Sequence, residues 1–292
     1  MKKTLFTAVL VATAIAHAQS STVAAPAAQT STASTSVAAP ASTKKWSVQV
    51  YSSMSQSVDD SNKLKEDAPI SSTNYLALGY KLSDKIKVEA RHNFTYASKI
   101  GVGAESETKS NYNSMSPALM MKYSSQNSFL GSKPLAYRAW YYIPADENSR
   151  AVNSAGVFRA DTMPAWDVNP KLELAWLARA QASVFQRDSD GVLRIITGPT
   201  LTYAVNDVIA PYYSLYNDAR SSAINRGEFA FNARNEVYHE VGVGFTAGAF
   251  NITPYISSFN NYSLDDQTNG TRGEGFFTPE NTSYSLELVG TF

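Results

Sequence analysis

The chain has 292 residues, with 25 basic and 25 acidic side chains that give no net formal charge at pH 7. It combines a mean hydropathy of -0.25 with 17 Tyr and 13 Phe, and it contains no Cys. The absence of Cys excludes disulfide bonds and the lipid attachment that bacterial lipoproteins receive. No stretch joins helix caps to a 3.6-residue apolar period, so a helix-based soluble enzyme is not indicated.

The first 18 residues have the pattern of a secretory signal peptide. Lys2 and Lys3 precede an apolar run over residues 4–16, and the small residues Ala16 and Ala18 flank His17 as a cleavage site requires. About thirteen apolar residues fall short of the roughly 20 that a membrane-spanning helix needs. We therefore expect residues 1–18 to be removed.

Residues 19–45 are rich in Ala, Ser and Thr and contain no aromatic side chain. Such a composition cannot seed a core, so this segment is predicted to be a disordered tail. It would act as a spacer, or alternatively as a plug or tether.

From residue 46 onward, apolar and polar side chains alternate with the two-residue period of a β-strand. One face of residues 85–98 is apolar and the other polar, and residues 171–187 repeat the pattern over a greater length. The polar face of the first segment carries Lys87, Glu89, Arg91, Asn93 and Thr95. Lipid on one side and water on the other would sort the side chains in this way, and every backbone group can pair only if the sheet closes.

A turn motif recurs along the chain, with the form aromatic-x-aliphatic-Ser/Asn-Asp/Pro-x-aliphatic. It is found at residues 80–86, 166–172 and 203–209, and a looser copy lies at 245–252. Ser, Asn, Asp and Pro favour tight turns, and an aromatic ring favours the boundary between lipid and water. These segments are predicted to be short hairpins at one end of a barrel.

Twelve strands are predicted, an even number that places all the short turns at one end. They are approximately 46–56, 73–82, 85–98, 110–123, 133–143, 150–162, 171–187, 192–203, 208–217, 236–247, 250–262 and 282–292. Longer polar loops at 57–72, 99–109, 218–235 and 263–281 are expected at the other end. Pro117, Pro199, Pro211 and Pro254 fall within these strands and are expected to mark bulges or strand ends.

The last residues alternate in the same way, with Tyr284, Leu286, Leu288 and Gly290 on the face of the terminal Phe292. This segment resembles the C-terminal strand of bacterial outer-membrane β-barrels, in which a terminal aromatic residue is read by the assembly machinery. The resemblance implies that residues 46–292 form a closed antiparallel transmembrane β-barrel in the outer membrane of a Gram-negative bacterium. The tail at 19–45 would then be periplasmic. Twelve-stranded oligosaccharide channels of the acidic-sugar porin kind are similar in size and in carrying Arg on several strands.

Inward-facing charged and polar residues are the candidate pore lining. If the polar faces of the strands point inward, the lumen receives Lys87, Glu89, Arg91, Arg138, Arg159, Glu173, Arg179, Gln181, Arg194 and Glu240, with Glu287 as a further candidate. Charges of both signs would hold a wet path open and orient polar solutes. The alternative is a set of ion pairs that cross and fill a narrow barrel.

A porin that lets small hydrophilic solutes diffuse passively is the function that these patterns favour, with no catalytic residue, metal or cofactor. The expected partners are outer-membrane lipid, lipopolysaccharide, the assembly machinery that reads Phe292, and small polar solutes. Nucleic acid is not expected, and the protein should be a monomer. No Gly-rich phosphate loop and no metal-binding spacing of His or Cys is found.

Two other classes of function remain open. An outer-membrane hydrolase would need a catalytic His, but His92 and His239 are both predicted to face outward. The acidic pairs at 59–60 and 265–266 belong to predicted loops, where solvated charge is the simpler explanation. A structural or adhesive barrel would act through its outer loops, such as residues 263–281.

Overall fold

The computed structural model describes residues 45–57, 70–97, 112–146, 149, 154–185, 193–222, 230–261, 277 and 281–292. The predicted signal peptide, nearly all of the predicted tail and the acidic pairs at 59–60 and 265–266 lie outside these ranges. Within the described ranges, no helix combines the length and apolar character needed to span a bilayer.

The described chain is built from strands. They are β1 Trp46–Ser57, β2 Ser71–Lys81, β3 Ile86–Ala97, β4 Tyr112–Ser114, β5 Ala118–Ser124, β6 Ala136–Tyr142, β7 Ser154–Thr162, β8 Ala165–Asn169, β9 Leu172–Phe185, β10 Leu193–Tyr203, β11 Ile209–Ser222, β12 Ala230–Ala247, β13 Phe250–Asn261 and β14 Thr282–Thr291. Each pairs antiparallel with its neighbours.

The sheet closes into a barrel, as predicted. Each strand pairs with the next one in the chain, apart from the two short strands β4 and β8, and β14 returns to pair with β1. The amide of Val48 donates to the Phe292 carbonyl over 3.0 Å, and the Phe292 amide donates to the Val48 carbonyl over 2.9 Å. The terminal residue therefore completes the ring, and no edge is left where β1 meets β14.

The ring consists of twelve passes of the chain from one end of the barrel to the other. Fourteen strands are present because two of these passes are each divided into two strands. β4 and β5 both pair with β3 and are separated by residues 115–117, which end in Pro117. β7 and β8 both pair with β9 and are separated by Met163 and Pro164. Proline has no amide hydrogen to donate, so it interrupts the ladder at these points.

The other predicted proline breaks are only partly present. Pro211 lies inside β11 and is paired with Val243, so the prediction of a bulge or strand end is wrong there. Pro254 lies inside β13 and is paired with Leu286, but on its other side the β12–β13 pairing stops at Tyr255 and resumes at Ile252. Near Pro199 the β10–β11 pairing stops at Thr197 and resumes at Thr200. A Cβ on the neighbouring Gly198 would lie 1.9 Å from the Leu215 carbonyl oxygen, so only glycine allows this close approach.

Among the described residues, the predicted boundaries differ most from the structure between β11 and β12. Residues 218–235 were predicted as a loop, but β11 continues to Ser222 and β12 already begins at Ala230. The paired register explains the difference, because Asp218 and Arg220 lie opposite Glu236 and Arg234 in a continuous ladder. Alternate residues of this ladder are charged, so the sequence has no alternating apolar pattern here from which a longer strand could be predicted.

Side chains are sorted between the two faces of the wall. On β2, Tyr75 and Ala77 are buried at 6% and 1% exposure, whereas Leu76 and Leu78 are about half exposed at 50% and 51%. The same alternation on β12 buries Glu240 and exposes Val241. Large apolar side chains on the outside and polar ones on the inside are the reverse of a soluble protein and suit a lipid surround.

The predicted turn motif forms hairpins, and in each of its three close copies one side chain holds the turn. Ser83 Oγ accepts hydrogen bonds from the amides of Lys85 and Ile86, and Asn169 Oδ1 accepts from those of Lys171 and Leu172. Asn206 Oδ1 accepts from Val208 and Ile209, each over 2.9 Å. In the looser fourth copy, Gly248 takes a left-handed φ of 59°. The Ser/Asn position is therefore the part of the motif that sets the turn.

We expect Asn206→Ala to lower the free energy of unfolding by about 1 kcal/mol, because two turn amides lose their acceptor. The measurement is the urea midpoint of the protein folded into lipid vesicles. Asp207→Ala, an exposed substitution in the same turn, is the control and should leave the midpoint unchanged. Equal effects of the two substitutions would show that the Asn206 side chain does not hold the turn.

Candidate functional site

All ten predicted pore-lining residues lie on the face of the wall that points into the barrel. Eight of them are on β3, β6, β7 and β9: Lys87, Glu89, Arg91, Arg138, Arg159, Glu173, Arg179 and Gln181. Arg194 is on β10 and Glu240 on β12, whereas Glu173 is the second residue of β9 and therefore lies at the end with the short turns. Their role as the lining of a conducting path remains a prediction.

A row of charged residues crosses the wall at directly paired positions. Lys87 is opposite Lys122, Lys122 opposite Arg138, Arg138 opposite Asp161, and Asp161 opposite Arg179. Together with Arg91 and Arg159, these five strands contribute six inward-facing basic side chains, and Glu89 and Asp161 are the acids that lie among them. We call this part of the wall the basic arc.

Asp161 is the centre of the basic arc. Its Oδ1 accepts a hydrogen bond from Arg138 Nε, and its Oδ2 accepts one from Arg159 Nε over 2.9 Å. The Nε of Arg179 lies 3.6 Å from the same Oδ2. One carboxylate is thus shared by three guanidinium groups, so the cluster keeps a surplus of positive charge.

A stack of rings and guanidinium groups continues the basic arc. The Arg91 guanidinium lies 3.9 Å from the centre of the Tyr75 ring and 4.2 Å from that of Trp140, and Arg91 Nε donates to Glu89 over 2.5 Å. The Arg159 guanidinium lies 4.9 Å from the Trp140 ring. Cation–π contacts of this kind fix the direction of these long side chains relative to the neighbouring rings.

The opposite part of the wall carries the acids, and we call it the acidic arc. It consists of Asp218, Glu236, Glu240 and Glu287 on β11, β12 and β14. Arg194 binds Asp218 through two nitrogens, and Arg220 lies 3.1 Å from Asp218 and 3.9 Å from Glu236. Tyr212 donates to Glu240 over 2.6 Å, and Tyr51 donates to Glu287 over 3.1 Å.

Ion pairs follow the wall instead of crossing the barrel. Within the described residues, each ion pair joins side chains on one strand, on neighbouring strands, or on a short turn and the strands beside it. The alternative prediction of ion pairs that cross and fill the lumen therefore finds no example in the described part of the chain.

Lys133 and Glu173 form a separate charged group at the short-turn end. Lys133 Nζ lies 2.8 Å from Asp167 and 2.5 Å from Glu173. Burial acts to lower the pKa of Lys133, but the hydrogen bonds and charges of these two carboxylates outweigh it and raise the pKa above its ordinary value. Lys133 is therefore charged at neutral pH and ties the turn before β6 to the β8–β9 hairpin.

Several residues of both arcs were missed at the sequence level. Asp161 follows Arg159 by two positions, so strict alternation on β7 would have found it. Lys122 shares its face with Met120 and Ala118, which hid the polar signal. Asp218 and Arg220 fell in the predicted loop at 218–235, and Glu236 directly follows it.

The two described histidines lie on the outer face, as predicted. His92 Nε2 is 3.0 Å from the Tyr112 hydroxyl, and His239 Nδ1 is 2.7 Å from the Tyr213 hydroxyl. Phe94 stacks beside His92, and Phe277 packs edge-on to His239. Each His is therefore placed among aromatic rings on the outside and not beside the inward-facing acids.

Comparison with known proteins is informative for the fold. The sequence matches no protein-family model and no curated protein. The COG4313 outer membrane channel of Pseudomonas putida F1 superposes with a TM-score of 0.54 at 12% identity, over 85% of this chain and 96% of that one. The KdgM porin gives 0.43 at 9% identity over 84% and 99%, and the NanC porin gives 0.44 at 10% identity over 83% and 98%. The chain thus shares its closed antiparallel barrel fold with the COG4313 outer membrane channel.

Proposed function

We propose that this protein is an outer-membrane porin through which small hydrophilic solutes diffuse passively. The observation that carries the proposal is the distribution of charge inside the closed barrel, where basic and acidic side chains pair along the wall and not across it. Twelve strands give a backbone cylinder about 24 Å across, between the eight-stranded barrels filled by side chains and the wide porins. Such a lumen has room for a narrow water path.

The proposal includes the setting in which the barrel works. The apolar outer face fits outer-membrane lipid and lipopolysaccharide, the short turns face the periplasm, and the longer connections face outward. Phe292, which bonds to β1 at the closing seam, is the residue that the assembly machinery would read. Every strand except the short β4 and β8 is paired on both sides without a second copy, which supports a monomer.

A structural or adhesive barrel is the second candidate. It would have the same wall but would need no surplus charge facing its axis, so three guanidinium groups around one carboxylate favour the porin. A hydrolase is favoured by none of the described contacts, since the hydroxyl groups near His92 and His239 belong to tyrosines on the outer face.

Conductance in a planar bilayer tests the proposal. The refolded protein is added to one side under a tenfold salt gradient, and stepwise currents with a constant amplitude are expected. The reversal potential then gives the charge preference. A folded protein that inserts into the bilayer and passes no current would exclude the porin and favour the structural barrel.

A further inference from the structure

We infer that the channel favours small zwitterions, meaning solutes with an anionic and a cationic group a few ångströms apart, such as amino acids and short peptides. The inference rests on the proposed porin function and names its solute class. It comes from the relative positions of the basic and acidic arcs.

Arg179 of the basic arc and Glu240 of the acidic arc lie at the same height in the barrel. Arg179 is paired with Ile196, Ile196 with Asp218, and Asp218 with Glu236. Each of these three steps to the next strand moves the paired position closer to the end of the barrel that carries the longer connections. With strands tilted by about 40°, each step rises about 3 Å and each residue along a strand about 2.5 Å. Glu240 is four residues below Glu236, so it returns to the level of Arg179.

The arcs also face each other. Around the closed ring, β14 is five strands from β9 in one direction and seven in the other. Glu287 on β14 therefore lies on the wall opposite Arg179, and Tyr51 and Glu240 flank it on the same side. A solute that passes this level has positive charge on one side and carboxyl groups on the other.

In each arc, a charged group lacks a hydrogen-bond partner or a partner of opposite charge within the described residues. On the basic arc, Asp161 is shared by three guanidinium groups, and Nε and Nη2 of the buried Arg179 have no hydrogen-bond partner within the described residues. Arg138 in the same cluster keeps 19% of its side chain exposed, so the arc can be reached from the lumen. On the acidic arc, Glu287 accepts a hydrogen bond from Tyr51 and has no basic partner among the described residues.

Charges on facing walls at one level discriminate between solute classes. An anion drawn to the basic arc is repelled by the acidic arc, and a cation experiences the reverse. A neutral solute has no favourable charge interaction with either wall. A zwitterion aligned across the axis gains from both, because each of its ends lies beside the opposite charge.

Uptake of matched solutes into proteoliposomes tests the inference. Glycylglycine is compared with its N-acetylated form, its C-terminal amide and a neutral sugar of similar size, and the trapped solute is quantified. Glycylglycine is expected to enter about fivefold faster than either capped form, as fields of this kind raise local solute concentration. The double variant E240Q/E287Q should reduce this advantage over the N-acetylated form to less than about twofold.

A second variant and a control separate the inference from the proposed function. R179Q should reduce the advantage of glycylglycine over the amide, whereas D84N, an exposed turn substitution, should leave every rate unchanged. Entry of all four solutes at rates that differ only with size would overturn the inference and leave the porin standing. Entry of none by a folded, inserted protein would overturn the porin itself.

Discussion

Replacing Asp161 with Asn is expected to shift the current of the channel strongly towards anions. The substitution keeps the size of the side chain and removes the one carboxylate that Arg138, Arg159 and Arg179 share. The ratio of anion to cation permeability should rise about fivefold, because three guanidinium groups then face the lumen without a counter-charge. The free energy of unfolding should fall by about 2 to 4 kcal/mol for the same reason.

Reversal potentials under a salt gradient and urea midpoints in vesicles measure the two effects. Asp84→Asn removes the same charge from an exposed turn carboxylate whose partner is Lys81, and it should change neither quantity. If Asp161→Asn left the permeability ratio at its original value, the basic arc would not border the ion path.

Arginine introduced on the outer face should destabilise the folded barrel far more than arginine on the neighbouring inner position. Ile256 and Ser257 are consecutive on β13, with Ile256 paired to Val241 on the outside and Ser257 paired to Glu240 on the inside. Ile256→Arg places a charge in hydrocarbon and should lower the free energy of unfolding by about 2 to 4 kcal/mol. Ser257→Arg gains Glu240 as a partner and should be close to neutral.

Unfolding by urea in vesicles of fixed lipid composition gives both values. The pair controls for backbone position and for the size of the introduced side chain, since only the face of the wall differs. A greater loss for Ser257→Arg than for Ile256→Arg would mean that the two faces have been assigned the wrong way round.

The alternation of side chains made the fold predictable from sequence. A transmembrane strand has one face in lipid and one in water, so its pattern is as regular along β3 and β9 as the surroundings that impose it. The turns were predictable for a local reason, because Ser83, Asn169 and Asn206 satisfy amides two and three residues further along. Neither signal depends on distant contacts.

The two arcs could be predicted only in part. Alternation assigns a residue to the inner face but does not say which inner residues share a height, since that depends on the register of every ladder between them. Thus Arg179 and Glu240 were both predicted to face inward, but their common height follows only from the pairing of the four strands β9 to β12. Ala175 and Leu177, which are apolar and yet face inward on β9, show the same limit.

Thiol labelling tests most directly the claim that neighbouring side chains are sorted between lipid outside and water inside a closed barrel. The chain contains no Cys, so single replacements report without background. Gln181 and Ala180 are adjacent on β9, one facing in and the other facing out. In vesicles, Gln181→Cys should react with a charged, water-soluble thiol reagent and lose conductance on reaction, while Ala180→Cys should react only after unfolding. Equal reaction at the two positions, or reaction at Ala180→Cys alone, would contradict the account.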